Sequence, residues 1–107
     1  MKVMISQPMN GKSYTEIKSE RETLVKSLEE NGNEVIETVF DNWSEEKSPI
    51  YYLAKSIELM DKAEKIIFMK GWEQARGCRI EYMVAKSYGK EIQILWEELM
   101  FHTITVW

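Results

Sequence analysis

Apolar positions along this 107-residue chain alternate between short continuous runs and stripes with a helical period. Residues 3–5 are apolar and lead into Ser6-Gln7-Pro8-Met9-Asn10-Gly11-Lys12, whose proline and Asn-Gly pair punctuate a turn, so a strand and a loop are predicted. Ser13 and Glu16 have capping-box spacing. Ile17, Arg21, Leu24, Val25 and Leu28 then recur at helical intervals until Asn31-Gly32, which predicts a helix over residues 14–30. Residues 34–40, with Val35, Ile36, Val39 and Phe40, suit a second buried strand.

After a polar loop that runs to Pro49, Leu53, Ala54, Ile57, Met60 and Ala63 keep a helical stripe starting at Ile50. Residues 66–69 are continuously apolar and read as a central strand. Cys78, Glu81, Tyr82 and Ala85 lie three or four apart, predicting a third helix that ends before the glycine at 89, and residues 91–96 supply a fourth strand. The tail, residues 97–107, supports two readings: Leu99, Met100 and Phe101 suit a short helix, whereas residues 103–107 alternate like an edge strand.

Strands alternating with helices predict right-handed crossovers and a parallel sheet covered on both faces. The expected fold is a small doubly wound, flavodoxin-like α/β domain of four or five strands, one domain over residues 1–107. Hydrophobic residues make up 44% of the chain and charged residues 30%, enough apolar surface for one core. The net charge of −4, with lysines scattered among glutamates, disfavours an extended nucleic acid as partner. The lone Cys78 and lone His102 cannot make a disulfide or build a zinc cluster, and no metal or other cofactor is expected. The absence of a signal-peptide-length or membrane-span apolar run points to a soluble cytoplasmic protein, with no membrane partner.

In open parallel sheets, ligands sit beyond the carboxyl ends of the strands where the strand order reverses, so the loops after strands one and three should face one cleft. The first offers Ser6, Gln7, Asn10, Lys12 and a helix N-terminus, which suit an anion or sugar hydroxyls, though Asn-Gly with proline is also ordinary turn chemistry. The second carries Gly71, Trp72, Arg76, Gly77, Cys78 and Arg79. Glu81, one turn into the next helix, should point back to the loop and stay ionised as a nucleophile or base, unless it caps the helix or pairs with Arg76 or Arg79 on a solvated face. Cys78 reads as packed rather than catalytic. Trp72 either stacks on a base or closes the core. Lys55, Ser56 and Glu58 are further residues that periodicity leaves undecided between surface and cleft.

The opening residues 1–12, Glu20-Arg21-Glu22, Gly71-Trp72 and Arg76-Gly77-Cys78-Arg79-Ile80-Glu81 resemble the small phage and bacterial proteins grouped as the DUF4406 family, themselves similar to the nucleoside 2-deoxyribosyltransferase superfamily. The resemblance covers the chain to about Trp96. In that superfamily an Asp-X-Gly-Thr-X-X-Glu pattern supplies the attacking glutamate; here the register gives Ala75, Gly77, Cys78 and Glu81, keeping the glycine and the glutamate. The aspartate that supports the sugar from the second helix falls near Ile57, between Ser56 and Glu58.

The resemblance implies that Glu81 attacks C1′ of a deoxynucleoside or its 5′-monophosphate, making the chain an N-glycosidase or deoxyribosyltransferase. The substrate-binding residues would be Ser6, Gln7, Pro8, Met9, Asn10, Gly11, Lys12, Gly71, Trp72, Arg76, Gly77, Cys78 and Arg79, with Gly77 as a close-approach position. It also implies a homodimer or higher homo-oligomer. The alternative, favoured by the missing aspartates, is a non-catalytic protein of the same fold that binds a nucleotide or nucleotide-derived signal. A third reading is an interaction module pairing through Phe101 and Trp107.

Overall fold

A computed structural model describes residues 1–39, 47–95 and 103–106. The capping box forms as its spacing requires: the Glu16 amide donates to Ser13 Oγ at 3.1 Å and the Ser13 amide to Glu16 Oε1 at 3.4 Å, opening helix α1, Tyr14–Glu30. It follows strand β1, Lys2–Ser6, and precedes β2, Glu34–Ile36. Helix α2, Pro49–Met60, starts at the cap Ser48 with proline in its first turn, where a missing N–H costs nothing. Strand β3, Lys65–Phe68, is joined through a short 3-10 turn, Trp72–Gln74, to α3, Arg76–Ser87. Strand β4, Glu91–Leu95, then pairs with β5, Thr103–Val106.

The sheet order is β2-β1-β3-β4-β5, with β1 to β4 parallel and β5 antiparallel to β4. The doubly wound expectation holds. β1 and β3 are neighbours across the reversal of strand order, with Ser6 opposite Phe68 and the Met69 amide donating to Ser6 O at 2.9 Å. Val3, Ile5, Ile67, Met69 and Leu95 pack on one face with Leu24 of α1. Met4, Ile66, Phe68, Ile92 and Ile94 pack on the other with Met60 of α2 and Ala85 of α3. Every strand alternates between these two cores, which is why their sequences read as continuous apolar runs.

The boundaries depart from expectation in a few places. The second strand ends at Ile36, well before Phe40, because Glu37 and Thr38 turn their side chains onto the backbone: the Val39 amide donates to Glu37 Oε1 at 2.7 Å and Thr38 Oγ1 to Ile5 O at 3.4 Å. The second helix stops at Met60, and Ala63 is buried in the turn that follows rather than on the helix. Its Ala54 is exposed and Tyr52 takes the inward place. Residues 103–106 are the edge strand; the helical reading of 99–101, and the readings of Phe40, Trp96, His102 and Trp107, lie outside the described residues. No helix among the described residues is long and apolar enough to cross a membrane.

Candidate active site

Ser6 ends β1 on the same face as Met4, so its hydroxyl is directed under α2 and α3 rather than toward α1. There Ser6 Oγ donates to Glu81 Oε1 at 2.7 Å, inside the protein. Glu81 lies on the buried stripe of α3 with Cys78 and Ala85 and is only 7% exposed. The solvated-face alternative is therefore overturned: Arg76 and Arg79 are exposed, and Arg79 Nη1 donates to Glu73 O at 2.9 Å.

Burial pushes the Glu81 carboxyl up to about 7, against hydrogen bonds from the Ser6 and Ser56 hydroxyls that favour the ionised form. The expectation of a permanently ionised carboxylate is corrected accordingly; this acid titrates near neutrality because too little water reaches it. Ser56, from α2, brings a second helix to the group. The spacing of α2 placed Ser56 near the cleft without indicating that Glu81 was its partner.

Cys78 completes the cluster. Burial pushes its thiol up to about 12; the Ser6 hydroxyl and Lys12 oppose the shift, and the Glu81 charge adds to it. A thiol held there is a packing group. Trp72 stacks on Tyr82 with centroids 4.7 Å apart and touches Phe68 at 5.3 Å, so it closes the core, although its buried Nε1 finds no acceptor among the described residues. A Cβ at Gly77 would lie 4.0 Å from Leu53 Cδ1, an ordinary contact, so the protein itself imposes no close approach there. Gly71 is different. Its φ of +89° belongs to glycine, and its α-carbon faces Pro8, where the two loops meet.

The first loop closes as a tight turn, with the Lys12 amide donating to Met9 O at 3.1 Å and Gly11 at φ +78°. Gln7 points to the α1 face, where Nε2 donates to Ile17 O at 2.9 Å and to Glu20 Oε1 at 3.5 Å. Lys12 Nζ bonds both oxygens of Glu20, at 3.0 and 2.9 Å. Gln7, Pro8, Lys12, Glu20, Met69, Lys70 and Leu95 line a cleft of about 160 Å³.

The two loops thus meet at the carboxyl edge, but their chemistry divides. Ser6, Cys78 and Glu81 gather on the α2/α3 side, while Gln7, Pro8 and Lys12 line the cleft on the α1 side. Met9, Asn10 and Gly11 make the turn between Pro8 and Lys12. Glu20, four residues after the capping glutamate, is the cleft residue that sequence reasoning did not single out. Among the described residues no group of three or more histidine, cysteine, aspartate or glutamate side chains is placed to hold a metal ion.

A family model described as a domain of unknown function, DUF4406, matches residues 1–94. No curated protein and no solved structure matches the chain.

Proposed function

The chain belongs to the DUF4406 family, and from the buried Glu81 carboxyl at its strand switch point we propose that it is a nucleoside or deoxynucleoside 5′-monophosphate N-glycosidase or deoxyribosyltransferase. The observation that carries this reading is a titratable carboxyl held by Ser6 at 2.7 Å beside the carboxyl end of β1, where doubly wound folds take their ligands. In its ionised form Glu81 attacks C1′. The oxygen–carbon bond forms as the C1′–N bond breaks, the electron pair leaves on the base nitrogen, and the base takes up a proton. Water then attacks C1′, loses a proton and frees the carboxylate; a second base in place of water gives transfer. A homodimer or higher homo-oligomer in a reducing cytoplasm belongs to the same reading, and light scattering on the purified chain tests the oligomeric part.

Incubation with each deoxynucleoside and monophosphate, followed by chromatography for free base, tests the chemistry. Base released by the native protein and lost in Glu81→Ala supports it.

The burial of Glu81 favours one second reading. A carboxyl that is largely protonated just below neutrality is a hydrogen-bond donor as well as an acceptor, which suits a protein that binds a nucleotide or a nucleotide-derived signal without cutting it. Strong thermal stabilisation by a nucleotide recovered intact supports that reading instead.

A further inference from the structure

The cleft on the α1 side of β1 bears on which ligand the Glu81 site accepts. Phosphate sites at strand ends use free helix-terminal amides and unpaired cations. Here those donors are compromised by the chain's own carboxylates. Glu16 folds its carboxylate back over the start of α1, accepting from the Ser13 amide at 3.4 Å, so negative charge already stands where an anion would sit. Lys12 is held by both oxygens of Glu20, at 3.0 and 2.9 Å. Lys70 is the remaining cation lining the cleft; it is exposed and forms no ion pair with a described residue.

Gln7 adds the positive side of the argument. It is 5% exposed, and its amide orientation is set by Nε2, which faces two acceptors, Ile17 O and Glu20 Oε1. That leaves Oε1 as the buried end, without a donor among the described residues. An unfilled buried acceptor is costly and matches a hydroxyl or N–H group of a ligand; a phosphate dianion has no proton to give it. Because Gln7 directly follows Ser6, a ligand lying over the end of β1 meets Glu81 on one side and Gln7 on the other.

The geometry points to a neutral, hydroxyl-bearing nucleoside as the ligand, with the cleft of Gln7, Lys12 and Glu20 accepting a ligand hydroxyl and discriminating against a 5′-phosphate. This rests on the nucleoside reading of Glu81 and narrows it.

Calorimetric titration of the full chain with the four 2′-deoxynucleosides and their four 5′-monophosphates separates the two ideas, since it reads binding rather than cleavage. The tightest-binding nucleoside should exceed its own monophosphate by about fivefold or more at low salt, with the gap narrowing as salt screens the carboxylates. Glu20→Gln, which releases Lys12 and removes a negative charge, should shift the ratio toward the monophosphate by roughly the same factor; a melting curve confirms that the variant is folded. A monophosphate that binds as tightly as its nucleoside, or a ratio unmoved by Glu20→Gln, overturns the inference and leaves Glu81 as it was. Binding of neither class overturns both.

Discussion

Ser6 Oγ donates to Glu81 Oε1 at 2.7 Å across 75 positions of sequence, joining the last residue of β1 to the middle of α3. The bond favours the ionised carboxylate while burial opposes it. Removing the hydroxyl takes away one of the two side-chain bonds that hold the acid down. Ser6→Ala should therefore raise the Glu81 pKa above about 7 and destabilise the fold at high pH by about 1–3 kcal/mol, the usual penalty for leaving a buried polar group short of a partner. Carbon-detected NMR titration of the labelled carboxyl checks the first and a denaturant melt at pH 8 the second; an unmoved titration contradicts the assignment.

The raised Glu81 pKa has a definite sign for stability. Its carboxyl is pushed from 4.5 to about 7 by folding, so between those values the folded chain holds a proton the unfolded chain has lost. Stability is fully present below pH 4.5 and declines as pH rises through 7, by about 3 kcal/mol from this group if the full shift is expressed. Glu81→Gln, which cannot ionise, should gain on the native protein as pH rises from 5 to 8. Parallel melting curves across that range would show the two proteins diverging, and curves that stay parallel would contradict the shift.

Cys78 should be silent toward thiol reagents. With its pKa pushed up to about 12 and its side chain buried, almost no thiolate is present at pH 8. Iodoacetamide should label the native chain very slowly and the urea-unfolded chain fully. Rapid native labelling would mean that the cluster opens.

Trp72 packs as a core residue whose indole N–H is unfilled, so its contribution is area and stacking rather than a hydrogen bond. Trp72→Phe should cost less than about 1.5 kcal/mol, since removal of an unpaired donor offsets part of the lost contact. Trp72→Ala should cost several times more. Equal losses in the two variants, measured by urea denaturation, would contradict the core assignment.

Much of the fold was legible because its signals are local. Ser13 and Glu16 marked the start of α1 to the residue, and Asn31-Gly32 its end, because capping depends on a few adjacent groups. Four strands announced themselves as apolar runs because each is buried on both faces. The early end of β2 was not legible: Val39 is apolar and buried, yet it leaves the sheet because the Glu37 and Thr38 side chains compete for backbone partners. In the site, the helical period identified Glu81 as a residue of the inward stripe with Cys78 and Ala85. It could not reveal that Ser6 and Ser56 converge on it, since that convergence is set by how α2 and α3 pack on the end of β1. Nor could it separate Ser6 from Gln7. The two are adjacent in the chain, but the pleat sends them to opposite faces, one to the carboxyl and the other to the cleft.

The most direct measurement is chromatography of free base after incubating the purified chain with the deoxynucleosides and their monophosphates at several pH values. The account predicts base release from at least one deoxynucleoside, rising with pH as Glu81 ionises near 7 and absent from Glu81→Ala. No release from any compound, or release that Glu81→Ala leaves unchanged, would contradict Glu81 as the attacking group.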